Sequence, residues 1–501
     1  MKPWAVIAIL VSLLNPIVAQ QVARTGPTQN TAITADSDAV SLDRTGVTLA
    51  ESGHLDEAVT YFERAIRLQP ELAEAHYHLG LASERKGRTD EAIAQYEEAL
   101  WRRPGLVEAR YLLAGCCRKR GDFSGEMELL TQVVHEAPGL AEARYNLGLA
   151  LKGRDRLTES SEQLRKAVAL KPRNVRYRLA LGSVLAEQGG AEAISALRET
   201  LNLEPNNADV HYDLAIALGR AGQLNDALEE FTTVLKLQPS FANAHRGLGI
   251  TLLHVDRYEE AAVELRKALE LVPRDVDAAN NLGVALLRLG RIDEAIASLQ
   301  KAIEINPRLI KAHVTLAQAY QRAAHADEAR RESHRAAELT TEQRAMGRAM
   351  VLVQSSQQRM AAGDSAAAIS QLREAVSSSP QYAEAQVKLG QALLGTNQAG
   401  EALTVLRRAL NLDPERADLH LDIGLALQQA GRKSEADQEF RAALEMAPCS
   451  VEVKRQLARA AMKKADHATA LAQYRGVLAR NPDDREAKSA IEQMQAAGSP
   501  R

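Results

Sequence analysis

The sequence predicts an all-α solenoid of antiparallel helix pairs. Three observations predict it. Proline recurs at a fixed period: from Pro70 to Pro482, nine of eleven successive spacings are 34 residues, with one of 33 and one of 73. Small residues recur in phase with those prolines. Hydrophobic residues make up 46% of the chain but aromatics only 4%, so the apolar mass is Ala, Leu, Val and Ile. Such a composition suits close contacts between small helices rather than thick aromatic cores. A length of 501 residues would by itself suggest about three globular domains, but a repeat of this period replaces that estimate.

The first element is an expected export signal over 1–19. Lys2 supplies the positive start, Ala5–Leu14 is apolar except for Ser12, and Asn15 with Pro16 breaks the run. Ile17-Val18-Ala19 places a small residue before the expected cleavage point. Ten apolar residues are too few for a bilayer, which takes about 20, so no integral membrane span is expected. No cysteine follows the run, which argues against lipid attachment there. Residues 20–38 are polar and threonine-rich and read as a flexible leader.

With proline set at position 32, thirteen units fit, nine over 39–340 and four over 341–482. Position 8 is small throughout and is glycine in eight units, among them Gly46, Gly80, Gly283 and Gly390. Position 20 is alanine in eleven units and position 27 in nine. Position 24 is large and apolar in twelve, as in Phe62, Tyr96, Phe231, Leu299 and Phe440. Small residues at 8 and 20 remove bulk where two helices approach, and the residue at 24 fills the space beside them. Gly53, Gly87, Gly121, Gly222, Gly290, Gly363 and Gly431 all fall at position 15, where glycine permits the positive φ that ends a helix. Proline then ends the second helix. One unit cannot bury its apolar stripe alone, whereas stacked neighbours can.

These residues resemble the tetratricopeptide repeat family, with its 34-residue unit, Gly or Ala at 8, Ala at 20, a bulky residue at 24, Ala at 27 and Pro at 32. Ala141–Pro172 shows the resemblance well, with Ser160 in place of the usual alanine. The resemblance covers roughly 39–482. It implies a right-handed superhelical solenoid whose first helices line a concave surface that binds protein or peptide segments.

Several units depart from the pattern. The third has Glu126 at position 20 and Leu130 at 24, which predicts looser helix pairing. The fifth lacks one residue near Gly189-Gly190. The ninth has Ser333 at position 24, no closing proline and five residues of excess. There Thr340-Thr341-Glu342-Gln343 reads as a capping box, with Thr340 as N-cap, and marks an expected seam between two arrays. Residues 483–501 are expected to supply a polar capping helix and tail.

Composition and motifs narrow the chemistry. A formal net charge of −3 gives no basic excess, so no nucleic-acid partner is expected. His76, His211, His245, His313 and His420 all sit at position 4, one repeat apart, which is too far for shared coordination; no metal site is expected. Cys116 and Cys117 are adjacent and too close for a mutual disulfide, so they read as small buried apolar residues, while Cys449 at a repeat junction reads as an exposed thiol. The chain carries no Walker loop, G-x-G-x-x-G, G-x-S-x-G, H-E-x-x-H or C-x-x-C motif. No catalytic residue and no cofactor are expected, and the chain reads as non-enzymatic. The sequence sets no oligomeric state.

The candidate site is therefore the expected groove. Position 5 is tyrosine in four units, Tyr77, Tyr111, Tyr145 and Tyr212, and tyrosine offers wide contact area at low entropy cost. Glu74, Glu108 and Glu142 lie at position 2, and Arg85, Lys119 and Arg220 at position 13. Arg246 and Asn280 take position 5 in later units. Asn146 and Asn281 at position 6 resemble the asparagines of the repeat array of O-linked N-acetylglucosamine transferases, but no catalytic domain is expected, and that activity is not carried over. The expected function is an exported scaffold, periplasmic or extracellular, that holds a peptide or extended protein segment. The alternative is a substrate-targeting or assembly subunit of a separate envelope enzyme or of a secretion or pilus apparatus.

Overall fold

The computed structural model describes residues 35–189 and 191–498. The expected signal peptide, most of the leader and the last three residues lie outside the described residues. Within them are twenty-six helices and no strand. Each repeat supplies a first helix, A, and a second, B. The first A helix begins at Ala35, so it takes in the end of the expected leader. No described helix is long and apolar enough to cross a membrane.

The A and B helices meet where the small residues predicted. A Cβ built on Gly283 would lie 2.5 Å from Leu299, and one on Gly80 would lie 2.7 Å from Tyr96. Positions 8 and 24 therefore fill one space from opposite sides, and a side chain at position 8 would overpack it. Ser160, the departure at position 20, is buried and turns its hydroxyl onto the Gly148 carbonyl at 2.6 Å. Glu126 is also buried, 3.7 Å from Arg118, and desolvation raises its carboxyl above the usual range.

A left-handed residue recurs in the turn between A and B of every repeat. Position 15 has positive φ at all seven predicted glycines and at Gly189. It also does so at Asp155, Asp256, Ala324, Asn397 and Ala465. The left-handed residue belongs to the turn, whichever side chain occupies it.

Position 4 shows what the periodic histidines do. Where proline ends a B helix, a side chain from the next A helix hydrogen-bonds its carbonyl in eight repeats. His245 Nε2 reaches Pro239 O at 2.9 Å while its Nδ1 faces Glu264 at 2.6 Å. His76, His211 and His313 repeat this contact. Arg110, Arg144, Arg178 and Gln386 make it with other donors.

One expected boundary is corrected. Thr340 caps no helix: it lies inside a 36-residue helix, Ala326–Ala361, with its hydroxyl bonded to the Ala336 carbonyl at 2.7 Å. Proline is missing where Thr341 stands, so the B helix of repeat 9 continues without a break into the A helix of repeat 10.

The chain forms two compact units. Among the described residues, one comprises 35–136 together with 437–498, and the other the described part of 137–436. In the first, the B helix of repeat 2 (Thr89–Arg102) packs against that of repeat 13 (His467–Arg480). The helix Arg485–Gly498 seats Ala487 and Ile491 against Ala458 and Tyr474. In the second, a continuous core runs through repeats 6 to 9 and includes Phe231, Leu265, Leu299 and Leu316.

Candidate binding groove

The A helices carry the candidate groove residues, and the repeat period puts one copy of each position on every unit. In the first unit, Tyr77 is only 8% exposed. Its ring centroid lies 5.3 Å from that of His78 and 6.2 Å from that of Tyr96, and burial raises its hydroxyl well above the usual range. Tyr77 is thus largely a packing residue. Tyr111 and Glu108 are half-buried. Glu74 pairs with Arg103 of the next loop. Lys119 reaches Glu84 of the preceding repeat at 2.7 Å, and Tyr96 donates to the same carboxylate at 3.0 Å. Arg85 is half-buried on the same helix as Tyr77.

In the second unit the tyrosines are more open. Tyr145 is half-buried, stacked 5.0 Å from Tyr177, with the Arg176 guanidinium 4.5 Å over its ring. Glu142 accepts from the Tyr177 hydroxyl at 2.5 Å and pairs with Arg176. Tyr212 stacks 5.1 Å from Phe241 and meets Phe231 edge-on at 6.0 Å; burial raises its hydroxyl, opposed by Arg246. Arg246 also pairs with Asp275 at 2.9 Å. Arg220 donates to the Ala186 carbonyl at 2.6 Å, a strut to the preceding repeat. Asn280 is buried, and its Oδ1 has no hydrogen-bond partner among the described residues.

Position 6 holds residues that the sequence reading passed over. Asp213 has its carboxyl pushed up to about 6 by burial, which Lys152 and a hydrogen bond from Ser183 oppose. Lys152 in turn lies 2.8 Å from both Ser183 and Glu187. Asp422 is likewise pushed up to about 6 by burial, with Gln391 donating to it at 2.9 Å. Both acids share the phase of Asn146 and Asn281. Reading position 6 for any polar residue rather than for asparagine alone would have found them. Among the described residues, no group of three His, Cys, Asp or Glu side chains is placed to hold a metal ion.

The cysteine reading is also corrected. Cys449 is fully buried and forms a disulfide with Cys117, their Cα atoms 6.0 Å apart. Their sequence separation of 332 is no obstacle, because both belong to the first compact unit. Cys116 remains a buried free thiol, pushed up to about 12 by burial, with the Glu84 charge adding to the shift.

The tetratricopeptide repeat family profile matches at 44–107, 90–141, 145–208, 212–266 and 255–309, more than half of the chain. Two further profiles of the same description match at 286–350 and 359–421, and at 417–448. No curated protein matches the chain. Among solved structures, a crystal structure of MamA is similar at 30% identity over 30% of this chain and 86% of that one, with a TM-score of 0.29. The hetero-tetramer Cut9-Hcn1 of APC/C is similar at 16% identity over 92% and 96%, with a TM-score of 0.36. YrrB, described as a TPR protein with an unusual peptide-binding site, is similar at 24% identity over 36% and 95%, with a TM-score of 0.30.

Proposed function

The chain belongs to the tetratricopeptide repeat family, and on that premise we propose that it is an exported, non-enzymatic scaffold for protein–protein interaction. Its A-helix face would hold a peptide or extended segment of another protein. The observation that carries this reading is the A-helix face of the second unit. There, half-open aromatic rings at Tyr145 and Tyr212 share one face with polar groups at position 6, including Asp213 and its Lys152–Ser183 neighbours. Rings of this kind give contact area at low entropy cost, and the polar groups supply orientation. The Cys117–Cys449 bond supports export, because structural disulfides persist in oxidising compartments.

The test replaces Tyr111, Tyr145 and Tyr212 together with alanine. The helical circular dichroism should be kept, and affinity for a partner captured from the envelope fraction and then purified should fall by at least tenfold. Unchanged affinity would remove the groove from the reading. Recovery of the intact chain, leader included, from the cytosol would remove export.

A further inference from the structure

The contact between repeats 2–3 and repeat 13 is built from residues that break the repeat pattern. Position 4 bonds the preceding proline carbonyl in eight repeats, but in repeat 13 it is Lys454. Its ammonium instead reaches both oxygens of Glu97 in repeat 2 at 2.5 Å, and both side chains are buried. Arg480, 2% exposed, bonds Glu128 at 2.5 Å, and Gln132 donates to its carbonyl at 3.1 Å. Arg475 lies 4.0 Å over the Trp101 ring and 3.2 Å from Glu98. The face of repeats 2–3 is thus acidic and that of repeat 13 basic.

Two glycines let these faces approach. A Cβ on Gly476 would lie 2.9 Å from both Glu97 and Lys454, and one on Gly125 would lie 2.9 Å from Cys449. The Cys449 amide donates to Asp122 at 3.2 Å. A cavity of about 420 Å³ remains at the junction, lined by Asp90, Glu97, Arg120, Arg441 and Gln473 among others.

Buried ion pairs give register but little net strength, because each charge gives up its water. Separating the faces rehydrates Lys454, Glu97 and Arg480. The covalent bond is therefore the element that can decide whether the faces stay together.

We propose that the Cys117–Cys449 disulfide is a redox latch: oxidation fastens repeat 13 onto repeats 2 and 3, and reduction frees both faces. In closing, the two thiols pass two electrons and two protons to the disulfide of an exported thiol–disulfide oxidoreductase, which leaves as a dithiol. In opening, a dithiol of that class returns them and leaves as a disulfide. Cys117 and Cys449 are as buried as Cys116, so exchange proceeds through local opening of the junction; the Cys116 thiol, held protonated by burial beside Glu84, stays out of it. The latch rests on the export reading only for where the oxidant is met.

The test uses the purified full-length chain oxidised in vitro, so its outcome does not depend on cellular location. Amide hydrogen exchange is compared before and after dithiothreitol, and in Cys449→Ser. Exchange in Thr89–Arg102 and His467–Arg480 should accelerate at least tenfold on reduction and in the variant, while 242–305 and the helical circular dichroism stay unchanged. Unaltered exchange in the two helices would overturn the latch, as would a loss of helix throughout the chain. A disulfide joining two chains on a non-reducing gel would also overturn it. Thiol alkylation in cell fractions tests export separately.

Discussion

Repeats 8 and 9 are neighbours built on one plan, and they part company at three positions. At position 24, Leu299 is fully buried against Gly283, whereas Ser333 is exposed. At position 15, Gly290 and Ala324 take the same positive φ, 74° and 59°. At position 32, Pro307 ends the B helix, whereas Thr341 lets it run on for twenty more residues to Ala361. The difference separates what each position does. Position 24 sets the contact between A and B, position 15 sets the turn between them, and position 32 decides whether the next A helix turns back or continues straight.

The largest effect should come from restoring the missing proline. Thr341→Pro removes an interior N–H and drives its ring into the carbonyl of Ala337, a change worth about 3 kcal/mol or more. Thermal unfolding should show the loss, with new protease cleavage close to residue 341. If two helices met at Thr340, the same substitution would fall in a first turn and leave stability within about 0.5 kcal/mol.

The contrast at position 24 predicts an asymmetric pair. Leu299→Ala should cost about 3 kcal/mol, from lost burial plus the space it leaves. Ser333→Ala, on an exposed side chain, should stay within about 0.5 kcal/mol. Equal costs would mean that repeat 9 packs its helices as repeat 8 does. Smaller again is the clamp at position 4. His313 bonds the Pro307 carbonyl at 3.1 Å and faces Glu332 at 2.6 Å. His313→Ala should cost about 1–2 kcal/mol through the carbonyl left unpaired. His313→Gln should recover part of that loss, since Gln386 makes the same bond in repeat 11 at 2.6 Å.

The comparison also shows what the sequence could and could not reveal. Prolines, position 8 and position 24 are local: each is read from residues one helix pair apart, so the helical repeat was legible. The turn at Ala324 was not, because alanine carries no sign of positive φ and only its phase betrays it. Thr340 was misread since Thr-Thr-Glu-Gln has cap spacing, yet the same residues continue a helix when proline is absent. The Cys117–Cys449 bond was illegible for a different reason. Periodicity describes what each repeat does to its neighbour, while this bond joins segments 332 residues apart. Its traces are residues that spoil the pattern, Lys454, Gly125 and Gly476, and only the fold brings them together. In the groove, tyrosine phase was visible, but whether a ring is buried depends on what packs against it, for Tyr77 the rings of His78 and Tyr96.

The finest test of the comparison lies at position 15. Both turns share one closing backbone bond: Arg291 N to Leu286 O at 2.9 Å in repeat 8, and His325 N to Tyr320 O at 2.9 Å in repeat 9. The residue in the left-handed position differs, glycine in one and alanine in the other. Ala324 holds a conformation that costs a Cβ-bearing residue about 1–2 kcal/mol. Its side chain is exposed, so no packing is lost on its removal. Glycine relieves that strain but adds freedom to the unfolded chain, which returns about 0.4–1 kcal/mol. Ala324→Gly should therefore stabilise by about 0.5–1 kcal/mol, and Gly290→Ala should destabilise by a similar amount, both measured as shifts in thermal midpoint. If Ala324→Gly destabilised instead, the strain would be absent and the two turns would differ in more than their central residue.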